Sequence, residues 1–108
     1  MIYRATQKIA GGKLLRVTIE STGEGHFEKN RIQAIHITGD FFLHPEDVLP
    51  IIENAFVGLP LSPSETTQES FIEHCSEIIQ EILDAKKAVF VGVSPLAIAS
   101  TIFSSLQL

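Results

Sequence analysis

The sequence is poor in the residues that small proteins use for chemistry or for covalent stapling. It has one cysteine, one methionine, one tyrosine and no tryptophan. A lone Cys75 excludes an internal disulfide framework and a cysteine-based zinc site, and it fits a reducing cytosol, so a cytoplasmic location is expected. No basic segment precedes an apolar core at the N-terminus, so no secretory signal is expected. There is no G-x-S-x-G elbow, no Walker-type loop and no dinucleotide fingerprint. Gly11-Gly12-Lys13 is no phosphate loop, because it runs into a β-patterned stretch and not into a helix N-terminus. Four histidines (His26, His36, His44, His74) invite a metal reading, with His44 beside Asp47 or His36 near Asp40, but no spacing matches a metal-ligand motif and no metal site is expected. Cys75 falls on an apolar helix face, where a cysteine behaves as a small hydrophobe.

What is present is a fold. At 108 residues, 44% hydrophobic and 19% charged, the chain has the length and composition of one ordered domain spanning 1–108. Its net charge of −5 is unevenly spread. Residues 1–31 carry six basic against three acidic side chains, and residues 32–108 carry two against ten. No sustained basic stripe marks a nucleic-acid footprint.

Residues Ile2 to Ala10 read as a strand, Gly11-Gly12 as a turn, and Lys13 to Glu20 as a second strand whose Leu15, Val17 and Ile19 alternate with polar neighbours. Arg31 to Thr38 alternates again, with Ile32, Ala34 or Ile35, and Ile37 as inward candidates. Gly39-Asp40 ends it, Phe41-Phe42-Leu43 forms an apolar plug, and a short helix follows with Asp47 as N-cap. Pro50 is tolerable in the first turn of that helix, and Gly58 ends it. Ser62-Pro63-Ser64-Glu65 has the form of a capping box opening a longer helix to about Asp84. Its expected stripe is Phe71, Cys75, Ile78 and Ile82, flanked by Ile72, Ile79 and Leu83. Glu65, Glu69, Glu73, Glu77 and Glu81 line the other side, either as a solvated face or as an acidic ridge for a basic partner. Residues 88–108 contain no charged side chain. Within them Ala88 to Val93 reads as a short strand or link, and Ser94-Pro95 opens a last helix. Gly92, Pro95 and several hydroxyl residues interrupt this stretch, which argues against a membrane tail and for a packed helix with a neutral edge.

Three stretches taken together resemble a known family. They are Gly11-Gly12-Lys13-Leu14-Leu15-Arg16-Val17, the block Ile37-Thr38-Gly39-Asp40-Phe41-Phe42-Leu43-His44-Pro45-Glu46-Asp47, and Gly92-Val93-Ser94-Pro95. In this order they resemble the C-terminal accessory domain of lipoate–protein ligases, which in some organisms is a separate small subunit. The resemblance covers nearly the whole chain, with the central block its specific part.

The resemblance implies an α+β fold: a small antiparallel three-stranded sheet with helices packed on one side, similar to iron–sulfur scaffold and sulfur-acceptor proteins. It implies a non-catalytic role in which the chain supports lipoyl-AMP formation by a catalytic ligase subunit, which then serves lipoyl carrier domains. ATP, Mg and lipoate belong to that partner, with no cofactor on this chain. The residues marked by the motif as interface or site-shaping are Gly11, Gly12, Lys13, Gly39, Asp40, Phe41, Phe42, His44, Pro45, Glu46 and Asp47. Two departures from the family pattern stand out: Pro50 within a helix that usually runs unbroken, and a final helix without its common charges.

Two other classes are carried as alternatives. An iron–sulfur or sulfur-transfer scaffold would need several ligands or an exposed low-pKa cysteine. A regulatory protein that kept the fold would have no ligase partner.

Overall fold

A computed structural model describes residues 2–9, 11, 13–22, 31–60 and 67–106. In chain order the elements are β1 (Ile2–Ile9), β2 (Lys13–Ser21), β3 (Ile32–Gly39), β4 (Phe42–His44), α1 (Val48–Ala55), α2 (Gln68–Lys86), β5 (Val89–Val91) and α3 (Pro95–Leu106). The α+β class holds: β1, β2 and β3 form an antiparallel sheet in the order β1-β2-β3.

Period-2 alternation becomes cross-strand rows. Tyr3 pairs with Ile19 and Ile19 with Ile35, while Ala5 pairs with Val17 and Val17 with Ile37. These rows form the buried face. The rows between them, Arg4 with Thr18 and His36, and Thr6 with Arg16 and Thr38, form the outer face. The register shifts between Glu20 and Ser21, which pair with Ala34 and Ile32 respectively. Gln33 is therefore an extra residue on β3, and that irregularity lets both Ile32 and Ile35 point inward.

The free edge of β3 is covered from within the chain. The Ile37 N–H donates to Glu53 Oε2 of α1 at 2.8 Å. The segment after α1 also pairs with Ile32, whose N–H donates to the Leu59 carbonyl and whose carbonyl accepts from the Gly58 N–H. α3 lies against β1 and β2, and α2 packs on α3 and α1.

Several local expectations change. The sheet is joined by a second, two-stranded ribbon, because Phe41-Phe42-Leu43 is not a simple apolar plug: Phe42–His44 pairs antiparallel with Val89–Val91. α2 begins at Gln68 with Thr67 as its cap, whose hydroxyl accepts from the Ser70 N–H at 3.1 Å. The expected capping box at Ser62-Pro63-Ser64-Glu65 lies outside the described residues. The buried stripe of α2 is Phe71, Cys75, Ile79 and Leu83, a strict four-residue step, and Ile78 and Ile82 flank it half-buried. Asp47 occupies the N-cap position of α1 but its backbone is already helical and its side chain makes no capping bond. The first turn is closed instead by the Pro45 and Glu46 carbonyls, which accept from Val48 and Leu49. Pro50 is the third residue of α1, where a missing N–H costs little. In α3 the Ser94 hydroxyl caps the Ala97 N–H at 3.1 Å.

Candidate functional site

The three stretches that carry the sequence resemblance meet at one end of the sheet. β2 opens at Lys13, β3 ends at Gly39, and register places Leu15 opposite Gly39. Gly39 has φ +151, and a Cβ there would stand 2.3 Å from the Leu14 carbonyl oxygen. No side chain fits that space, so glycine allows the two backbones to touch. Asp40 then locks the corner: its N–H donates to the Leu14 carbonyl at 2.9 Å, and its Oδ2 accepts from the Leu14 N–H at 3.1 Å.

Gly92, at φ +93, closes over the same corner. A Cβ on it would lie 2.9 Å from Lys13 Nζ and 3.3 Å from the Asp40 carbonyl oxygen. The Lys13 side chain therefore runs beside Gly92 within its own chain and is half-buried. Gly11 is exposed at φ +85. Gly12 lies outside the described residues.

The two adjacent phenylalanines take opposite parts. Phe41 is half-buried and meets Phe90 edge-to-face, with ring centroids 5.5 Å apart and planes at 71°. Phe42 is 73% exposed and is paired across the ribbon with Val91. Leu43 turns back into the core opposite Phe90. His44, Pro45, Glu46 and Asp47 are all exposed, and the His44–Pro45 peptide is cis. Glu46 lines an open cleft of about 340 Å³ with Phe42, Leu43 and Leu49. The structure thus gathers Lys13, Gly39 and Asp40 at one corner and sets Phe42 and Glu46 on the ribbon side of it. The hydroxyl of Thr101 and the Gln7 amide, a partly buried polar tie between α3 and β1, were not among the expected residues. The signal that marks them is a glutamine in an inward β position facing an α3 rich in Ser and Thr.

Cys75 is fully buried, and burial pushes its thiol up to about 12. A thiol so disposed is neither a nucleophile nor a ready metal ligand. His36 and His74 are exposed, on the outer sheet face and the outside of α2. Among the described residues no group of three histidine, cysteine or acidic side chains is placed to hold a metal ion. Among the same residues, no helix is long and apolar enough to cross a membrane.

Comparison with known proteins places the chain as a whole. No family model matches the chain. It is 34% identical over 95 residues to lipoate-protein ligase A subunit 2 of Thermoplasma acidophilum, an alignment covering 88% of this chain and 81% of that protein. The fold is similar, with a TM-score of 0.60 and 28% identity, to a chain from the structural analysis of an archaeal lipoylation system of the same organism. That system is a bi-partite lipoate protein ligase and its E2 lipoyl domain, and the match covers 100% of this chain and 97% of that one. The chain belongs to the family of lipoate–protein ligase A subunit 2.

Proposed function

We propose that this chain is the non-catalytic accessory subunit of a two-part lipoate–protein ligase. It supports ATP-dependent lipoyl-AMP formation on a separate catalytic subunit in the cytoplasm, and that subunit passes the lipoyl group to carrier domains. ATP, Mg and lipoate are bound by the catalytic subunit. The observation that carries this reading is the relationship to a ligase second subunit across 88% of the chain. The corner of Lys13, Gly39 and Asp40, with the block from Phe41 to Asp47, shapes the contact with that subunit. Its rigidity supports this role, because paired backbones and a glycine-only approach hold an interface in one shape before the partner arrives. The scaffold alternative is disfavoured by the burial of the one thiol.

The reading is tested by a lipoylation assay on a carrier domain, scored by mass spectrometry. The chain alone should transfer nothing. The catalytic subunit should modify the carrier only when the chain is added. Equal modification with and without the chain would contradict an accessory role.

A further inference from the structure

The β4–β5 ribbon turns an apolar face outward. Phe42 is 73% exposed, Val89 59% and Val91 56%. Alternation along the two strands sets these three on one side with His44, opposite Leu43 and Phe90. Elsewhere in the same molecule a sheet face left to water is built differently: the outer face of β1–β3 carries Arg4, Thr6, Arg16, Thr18, His36 and Thr38. The ribbon departs from that pattern, and a ribbon of two three-residue strands has little stability of its own in water. Beside Phe42 opens the cleft of about 340 Å³, and among its described lining residues Glu46 alone is charged.

We propose that Phe42, Val89 and Val91, with this cleft, form the surface on which the catalytic subunit docks. The partner's contribution is an apolar side chain seated in the cleft and a basic group set against Glu46. The proposal rests on the reading of the chain as an accessory subunit and adds the face it uses. Two observations select this occupant. The similar Thermoplasma chain comes from a bi-partite ligase, so there the fold is found in a two-part enzyme. Charge disfavours a symmetric pair of copies joined through this face, because each copy would bring the same acidic cleft, with Glu46, to the contact, whereas a basic rim on a different chain is complementary.

The test measures binding of the full chain to its catalytic subunit by titration calorimetry. A Phe42→Ser, Val91→Thr double variant whose unfolding midpoint matches the parent should bind at least ~30-fold more weakly, as removal of a central apolar anchor does. Binding within about threefold of the parent overturns the docking face and leaves the accessory reading standing. If the unaltered chain neither binds nor stimulates its partner, the accessory reading falls and takes the docking face with it. Should the double variant fold poorly, a photoreactive phenylalanine analogue at position 42 replaces it. A crosslink to the catalytic subunit supports the proposal. Crosslinks only between copies of this chain, or none while binding persists, overturn it.

Discussion

Asp40 and Leu14 exchange two hydrogen bonds, backbone to backbone at 2.9 Å and backbone to carboxylate at 3.1 Å. This exchange ties the start of β2 to the corner that follows β3, and Gly39 is what lets the strands come close enough to make it. Gly39→Ala should therefore cost about 2–4 kcal/mol, from a Cβ driven into a backbone oxygen at a φ foreign to alanine. Asp40→Ala, at an exposed position, should cost only about 0.5–1.5 kcal/mol. Urea denaturation of both variants measures the difference. A Gly39→Ala protein as stable as the parent would remove the close approach from the account.

The tie between α3 and β1 gives a second expectation. The Thr101 hydroxyl shares its one proton between Gln7 Oε1 at 2.9 Å and the Ala97 carbonyl at 2.8 Å, and Gln7 Nε2 donates to Ser104 Oγ at 2.7 Å. Thr101 is fully buried. Thr101→Val strands the glutamine oxygen and should cost about 1–3 kcal/mol. Adding Gln7→Leu removes the stranded group, so the double variant should lose less than the sum of the single losses. A double-mutant cycle reads this directly, and strictly additive losses would show that the bond contributes nothing.

Burial of Cys75 fixes the sign of a pH dependence. The folded thiol is raised to about 12 from an ordinary value of 9.0, so the folded state keeps its proton where the unfolded chain gives it up. The resulting stability is fully present below pH 9 and is lost as pH rises toward 12. Cys75→Ala should be less stable at neutral pH, from the small cavity it leaves, but should lack this part of the alkaline decline. Thermal melts of both proteins across this range check it, and parallel declines would contradict it. A thiol reagent at pH 8 should label the native protein only at the rate of its unfolding.

Much of this fold could be read from period alone. Leu15, Val17 and Ile19 alternate cleanly and lie on the buried face as expected. Ser94 before Pro95 caps α3 as its chemistry requires. The ribbon was hidden because β4 and β5 are three residues each and some 45 positions apart, too short for alternation to show and too distant for a turn signal. The α2 stripe holds at Phe71 and Cys75 and departs by one column in its second half, because Ile78, Ile79, Ile82 and Leu83 offer two equivalent apolar rows, and only packing on α3 and α1 selects between them. The site shows the same division. The residues of the central block were legible as a motif, yet nothing in the order Phe41-Phe42 says which ring goes inward. That choice is made by Phe90, which lies on β5 and meets Phe41 edge-to-face.

The central claim, that the chain is an accessory subunit and leaves the chemistry to its partner, meets its most direct test in a titration of lipoyl-AMP formation. The chain is added stepwise to a fixed amount of catalytic subunit with ATP, Mg and lipoate. The account predicts negligible adenylate from either component alone, a rise on mixing, and saturation near equimolar chain. Full adenylation by the catalytic subunit before any chain is added, or adenylate formed by this chain alone, would contradict it.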